Sequence, residues 1–150
     1  MRIVSQNVKE ASVFIDKKLY SKINKGFLLL VSFCNKDTYD IVDKMVTKLL
    51  KMRVFPDENG KTNLSIKDVN GEILSVSQFT LYGSIKKGNR PSFIDKCLDY
   101  DESIKLYDYF NNKILDENIE LKTGIFGADM EVSLINEGPF TMILDSEELF

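Results

Sequence analysis

Three short segments resist a purely structural reading. The first is Ser75-Val76-Ser77-Gln78-Phe79-Thr80-Leu81-Tyr82. Strand alternation puts Leu74, Val76, Gln78, Thr80 and Tyr82 on one face, with Ile73, Ser75, Ser77, Phe79 and Leu81 on the other. Hydroxyls and an amide thus continue an apolar row on both sides, a pattern that a strand emerging into solvent would also give. The second is Ile85 to Phe93, where Lys86, Lys87 and Arg90 gather around Gly88 with an aromatic ring close by. Such a loop can track a phosphate backbone, although a solvated turn has the same composition. The third is Asn136-Glu137-Gly138-Pro139. Asn136 continues the Met130, Val132, Leu134 face and so needs a partner, while Gly-Pro between strands reads by its spacing as a turn.

Composition narrows what these groups can do. The chain has 150 residues and no histidine. That excludes Ser-His-Asp and Cys-His nucleophiles, HExxH metalloproteases and every zinc site that needs imidazole. It also removes the commonest general acid-base at neutral pH. Carboxylates are plentiful but form no recognisable metal or acid-base cluster, so no metal is expected; Asp101 and Glu102 suit a helix N-terminus instead. Two glycine loops imitate phosphate-binding loops and fail. Gly60-Lys61-Thr62 has Phe55 where the first glycine belongs, and Gly83 and Gly88 are followed by Asn89-Arg90. A net charge of −3 makes this no generic nucleic-acid binder, so a polyanion must be held by a local patch. Cys34 and Cys97 lie far apart among apolar neighbours and read as buried inert thiols. With so few thiols and no signal peptide, a cytoplasmic setting is expected. The longest apolar run, Phe27 to Phe33, is far short of a bilayer span.

The elements that must position these groups follow from periodicity. Arg2 to Ile15 reads as a bent strand, and Phe27 to Val31 as a strand covered on both faces. Val42, Met45, Val46, Leu49 and Leu50 mark an amphipathic helix capped by Asp37 or Thr38 and ended before Pro56. Asn59-Gly60 and Asn70-Gly71 are turn signals, so 54 to 82 should hold short hairpin-like pieces. Glu72 to Tyr82 is expected as a strand and Gly83 to Arg90 as a polar loop. A second amphipathic helix spans Asp101 to Glu117, with Ile104, Tyr107, Phe110 and Ile114 inward. Glu120 to Ile125, Met130 to Asn136 and Phe140 to Leu144 read as three strands, the last two joined through Gly138-Pro139. The expectation is one α+β domain over 1–150, with mainly antiparallel sheets and two amphipathic helices.

Together, Ser77-Gln78-Phe79-Thr80-Leu81-Tyr82, Lys87-Gly88-Asn89-Arg90-Pro91-Ser92-Phe93, Gly124-Ile125-Phe126-Gly127-Ala128-Asp129-Met130 and Asn136-Glu137-Gly138-Pro139-Phe140-Thr141 stand in an order and spacing that resembles the D-aminoacyl-tRNA deacylase family. Met1-Arg2-Ile3-Val4-Ser5-Gln6 and Lys61-Thr62-Asn63-Leu64-Ser65 are similar too, so the resemblance covers essentially the whole chain. It implies a homodimer that hydrolyses the ester between a D-amino acid and the 3′-terminal adenosine of tRNA, clears glycine mischarged on tRNA, and uses no cofactor. It further implies that Ser77, Gln78, Phe79 and Thr80 form one wall of the active site. Asn136, Gly138 and Pro139 of the partner form the other, through a cis Gly-Pro whose carbonyls face the substrate's α-amino group. Phe126 and Met130 resemble the positions around the terminal adenine. Thr80 as a covalent nucleophile is the other reading of the first wall, but no base stands near to activate it. The chain departs from the family pattern at Asn7, where arginine is usual and would hold the Gly-Pro carbonyls. It departs again at Glu137, for aspartate, and at Gly83-Ser84, for Ala-Asp. The alternative function is a tRNA-binding dimer of the same fold without catalysis.

Overall fold

The computed structural model describes residues 1–93 and 96–150. Its centre is β1 (Arg2–Ile15), which pairs antiparallel with three strands. Along one edge run β2 (Lys18–Ile23) and β3 (Gly26–Ser32); along the other runs the whole of β8 (Glu131–Asp145). Beyond β3 lie β6 (Glu72–Ser77) and β7 (Leu121–Thr123), both paired parallel. A small hairpin, β4 (Phe55–Pro56) with β5 (Thr62–Leu64), stands apart. The fold is α+β as expected, and most pairings are antiparallel. The two parallel ones arise because chain segments containing helices carry it from β3 to β6 and from β6 to β7.

Two helices cover one face. α1 (Tyr39–Lys51) is capped by Thr38, whose side chain accepts the Ile41 N–H, and it buries Val42, Met45, Val46, Leu49 and Leu50. α2 (Tyr100–Asp116) is capped by Asp99 and buries Leu106, Tyr107, Phe110, Asn111 and Ile114; Ile104 is only half-buried. A third helix, α3 (Ser146–Leu149), is one short turn. Phe27, Leu29 and Val31 pack under these helices, while Leu28 joins Val8, Ala11, Val13, Leu74 and Val76 in a second cluster on the opposite face. This is why β3 is an unbroken apolar run: both of its faces are covered. Truncating a fully buried member such as Leu49 to alanine should cost roughly 2–5 kcal/mol.

β6 approaches β3 so closely that a Cβ on Gly26 would lie 1.8 Å from the Glu72 carbonyl oxygen, which only glycine avoids. The expected strand over Glu72 to Tyr82 stops at Ser77; Phe79–Tyr82 is a single 3-10 turn preceded by Gln78. Strand alternation therefore does not govern Gln78, Thr80 and Tyr82, and only Tyr82 of the three is buried. The two strands expected on either side of Gly138-Pro139 are one, because both halves of β8 pair with β1. Asn136 pairs with Val8 and Thr141 with Gln6, so four residues bulge out opposite Asn7 rather than reversing the chain.

Candidate active site

The parallel strands β3 and β6 end side by side, and the chain leaves both at the same edge. A cleft of about 540 Å³ opens there. Crevices at the carboxyl ends of parallel strands are where open sheets tend to bind ligands, because the loops diverge and leave main-chain groups unpaired. Val31, Ser32 and Phe33 come from the end of β3, Val76 to Phe79 from the end of β6, and Phe126 to Met130 from the loop before β8.

The Phe79–Tyr82 turn is fixed from several sides. The Gln78 N–H donates to the Val31 carbonyl at 2.8 Å, and the Leu81 N–H donates to the Gln78 carbonyl at 3.3 Å. Since that is the first bond of the turn, the N–H groups of Phe79 and Thr80 precede it and have no place in the turn's own ladder. The Gln78 amide donates to Thr80 Oγ1 at 2.5 Å, so the two side chains brace each other. Arg2 grips the far end. Its Nη1 donates to the Leu81 carbonyl at 2.7 Å, its Nε and Nη2 donate to Asp145 Oδ2, and its guanidinium lies 4.7 Å from the centre of the Tyr82 ring. Burial pushes the Tyr82 phenol far up, so it stays neutral. Phe79 is 61% exposed, and its ring leans on Phe93 at 4.9 Å.

Opposite the turn, Phe126 sits between Tyr100 and Tyr107, with ring centres 5.2 and 5.5 Å away. Gly127 takes φ +76°, and a Cβ there would meet the Tyr100 hydroxyl at 2.9 Å. Met130 folds over Gly124, where a Cβ would lie 2.4 Å from its sulfur. The result is an aromatic and thioether wall suited to a flat, apolar-faced group.

Ser77, Gln78, Phe79, Phe126 and Met130 are thus brought together as the sequence led one to expect. Thr80 stands just outside the lining, on the exposed side of the turn. Lys86, Lys87 and Arg90 do not line the cleft; they lie on an exposed loop closed at its base by the Ser84 and Ser92 backbones, paired at 2.9 Å in both directions. Nor do Asn136, Gly138 and Pro139 line it within this chain. Gly138-Pro139 is cis and both residues are exposed. Asn136 finds its partners locally: Oδ1 accepts the Phe140 N–H at 3.0 Å and Nδ2 donates to Thr141 Oγ1 at 3.0 Å, which closes the bulge on itself. Asn7 is buried and donates to the Val54 carbonyl at 2.8 Å, so its side chain is committed to the core. Sequence reasoning missed Ser32, Cys97, Tyr100, Ser103 and Gly127 as lining residues. The end of β3 was legible only to a reader who already knew that it lies parallel to β6. Among the described residues no cluster of carboxylates, thiols or imidazoles could hold a metal ion.

A family model described as D-Tyr-tRNA(Tyr) deacylase matches residues 4–145. The chain belongs to this family. Two D-aminoacyl-tRNA deacylases resemble it over nearly their full length. The one from Lactobacillus gasseri is 54% identical, covering 97% of this chain and 99% of its own. The one from Finegoldia magna is 52% identical, covering 97% and 98%. The fold of this deacylase-family chain is similar to a solved structure described as c-Myc DNA Unwinding Element Binding Protein, with TM-score 0.89, 37% identity and coverage of 97% and 98%. It is also similar in fold to a probable eukaryotic D-amino acid tRNA deacylase, with TM-score 0.81, 20% identity and coverage of 95% and 97%.

Proposed function

We propose that the cleft receives the 3′ end of a D-aminoacyl-tRNA, with the terminal adenine against Phe126 and Met130 and the ester over Phe79 and Thr80. The reaction follows from the family: the ester of D-aminoacyl-tRNA is hydrolysed to free D-amino acid and tRNA. The observation that carries the placement is the pair of N–H groups at Phe79 and Thr80, which precede the first bond of their turn beside the cleft. Two such donors can hold the developing oxyanion of an attacked carbonyl. An aminoacyl ester is already activated, and the ribose 2′-hydroxyl beside it can assist water. The chain therefore needs neither a histidine nor a strong protein nucleophile.

Selection between hands is assigned to Gly138 and Pro139 of a second copy in a homodimer. In their own chain they are exposed and outside the cleft, on a strand that among the described residues pairs with β1 alone. Rejecting an L-substrate a thousandfold takes over about 4 kcal/mol. A methylene misfit in a soft pocket supplies only about 1–3. A main-chain wall with no room for the L side chain can supply more, and it would admit glycine. Lys86, Lys87 and Arg90 are assigned to the phosphates of the acceptor end, and the work to the cytoplasm, where charged tRNA is found. No helix among the described residues is long and apolar enough to cross a membrane.

The test is release of amino acid from D-Tyr-tRNA, L-Tyr-tRNA and Gly-tRNA. Release from the D-ester and from glycine, with the L-ester spared, is expected; equal release from both hands would overturn the selection argument. The similarity to a protein named for binding a DNA element favours a second reading, nucleic-acid binding without catalysis. Salt-dependent tRNA binding with all three esters intact would select it.

A further inference from the structure

The two cysteines, distant in sequence, meet beside the cleft, which Cys97 alone of the pair lines. Cys34 and Cys97 face each other across an antiparallel bridge. The Asn35 N–H donates to the Lys96 carbonyl at 3.1 Å, and the Leu98 N–H donates to the Phe33 carbonyl at 3.5 Å. Bonds that flank the pair on both sides, with none between its own members, define the narrow type of antiparallel pair. There the Cα atoms stand about 4.5 Å apart and the side chains share one face. Disulfides span Cα separations of about 4.4–6.8 Å, so this register can accept one with little backbone movement. Cys34 is buried, whereas Cys97 is half-buried and lines the cleft, which gives a small solute access to one sulfur of the two.

We propose that Cys34 and Cys97 form a thiol-pair modification site that takes hydrogen peroxide as its co-substrate and closes to a disulfide beside the cleft. The sulfur of Cys97 attacks one peroxide oxygen, the O–O bond breaks, and the other oxygen leaves as water, giving a sulfenic acid. The sulfur of Cys34 then attacks that sulfur and displaces the oxygen as a second water. Each sulfur gives up one hydrogen, and the two electrons removed from the pair reduce the peroxide. Burial, and then the neighbouring Cys34, pushes the Cys97 thiol up, so the first step is slow and the site responds to sustained oxidant.

The consequence falls on the turn. Cys97 Sγ lies 3.8 Å from the Phe79 carbonyl as a weak donor, and Ser32 Oγ lies 3.4 Å from the same oxygen. Cys34 Sγ has the Met1 nitrogen at 3.8 Å. Closing the disulfide removes the Cys97 proton and withdraws its sulfur from Phe79, the residue whose N–H is assigned to the oxyanion. This effect on turnover rests on the proposed deacylation site; the disulfide itself does not.

The experiment treats the intact protein with hydrogen peroxide, then reads intact mass, a non-reducing peptide map and D-Tyr-tRNA turnover before and after dithiothreitol. The expected result is loss of two hydrogens, a peptide joining Cys34 to Cys97 within one chain, and turnover lowered about threefold or more, the cost of one weak contact, restored by the reductant. Cys34→Ser, or Cys34→Ala should serine disturb the core, should keep basal turnover and form no linked peptide. Oxygen addition without the link, or a link between chains, would overturn the site. A link that leaves turnover unchanged overturns its functional consequence. An untreated protein that releases no D-tyrosine points instead to failure of the deacylase reading, while the peptide map still judges the thiol pair.

Discussion

The two walls assigned to the active site differ in what holds them. The Phe79–Tyr82 turn is pinned within its own chain, by Val31 at its entry and by Arg2 and Asp145 at its exit, and it borders a formed cleft. The Gly138-Pro139 bulge is closed by Asn136 between flanks that pair with β1, and both of its central residues are exposed. On the proposed reading, the first wall is complete in a single chain, whereas the second is supplied by another copy.

That contrast can be broken in several places. The largest effect is expected at Phe79→Pro. Proline suits the first position of a helical turn but has no N–H, so kcat should fall about a hundredfold to a thousandfold, while Phe79→Leu, which loses only the ring, should fall far less. Equal losses in the two would place the effect in the side chain. Pro139→Ala should leave D-Tyr-tRNA turnover nearly intact and narrow the D-over-L ratio by about tenfold or more, because the ring no longer locks the local backbone. An unchanged ratio in a folded dimer would remove the second wall from the argument. A mixture of Phe79→Pro and Pro139→Ala chains sharpens the point: if each site draws on both copies, one kind of heterodimer site regains both walls.

Smaller effects probe the first wall alone. Arg2→Met keeps the stem and loses the grip on Leu81 and Asp145; kcat should drop about threefold to tenfold with KM for D-Tyr-tRNA little changed, the signature of a group that positions the transition state. Thr80→Ala should cost less than about tenfold, since only its bond from Gln78 is lost, whereas a covalent nucleophile would cost several orders of magnitude. The smallest effect is electrostatic. Hydrogen bonds from Lys36 and Lys96 hold the Glu147 carboxylate down to about 2 from its usual 4.5. A lowered folded value stabilises above the unfolded one and loses that contribution as pH falls. The melting-temperature gap between the protein and Glu147→Gln should therefore be small at neutral pH, because the pair is solvent-screened, and should close between pH 4.5 and about 2.

The elements with strong periodicity were legible from residue order. α1 and its buried face, the covered strand β3 and the long β1 appear where the apolar spacing puts them, since burial is what that spacing records. The family was legible through its motifs, which the match over 4–145 bears out, and of the residues those motifs singled out the structure brings Ser77, Gln78, Phe79, Phe126 and Met130 to one cleft. Two readings failed for physical reasons. Glu72 to Tyr82 looked like a strand because Phe79 and Leu81 keep its alternation, yet the chain runs out of pairing partners at Ser77 and tightens into a turn. Gly138-Pro139 looked like a turn because local chemistry favours one, yet β1 pairs with both flanks and keeps the strand going.

Residue order therefore determined which groups are present, which chemistry is closed to a chain without histidine, and which faces must be buried; each of these is a property of side chains and their spacing. Tertiary structure alone decided that β3 and β6 run parallel and open a cleft where they end, and that Cys34 lies against Cys97. It also decided that the Asn7 amide is spent on Val54 while Gly138 and Pro139 are turned outward. Those outcomes depend on contacts between segments dozens of residues apart, and no local pattern carries the register of a distant strand.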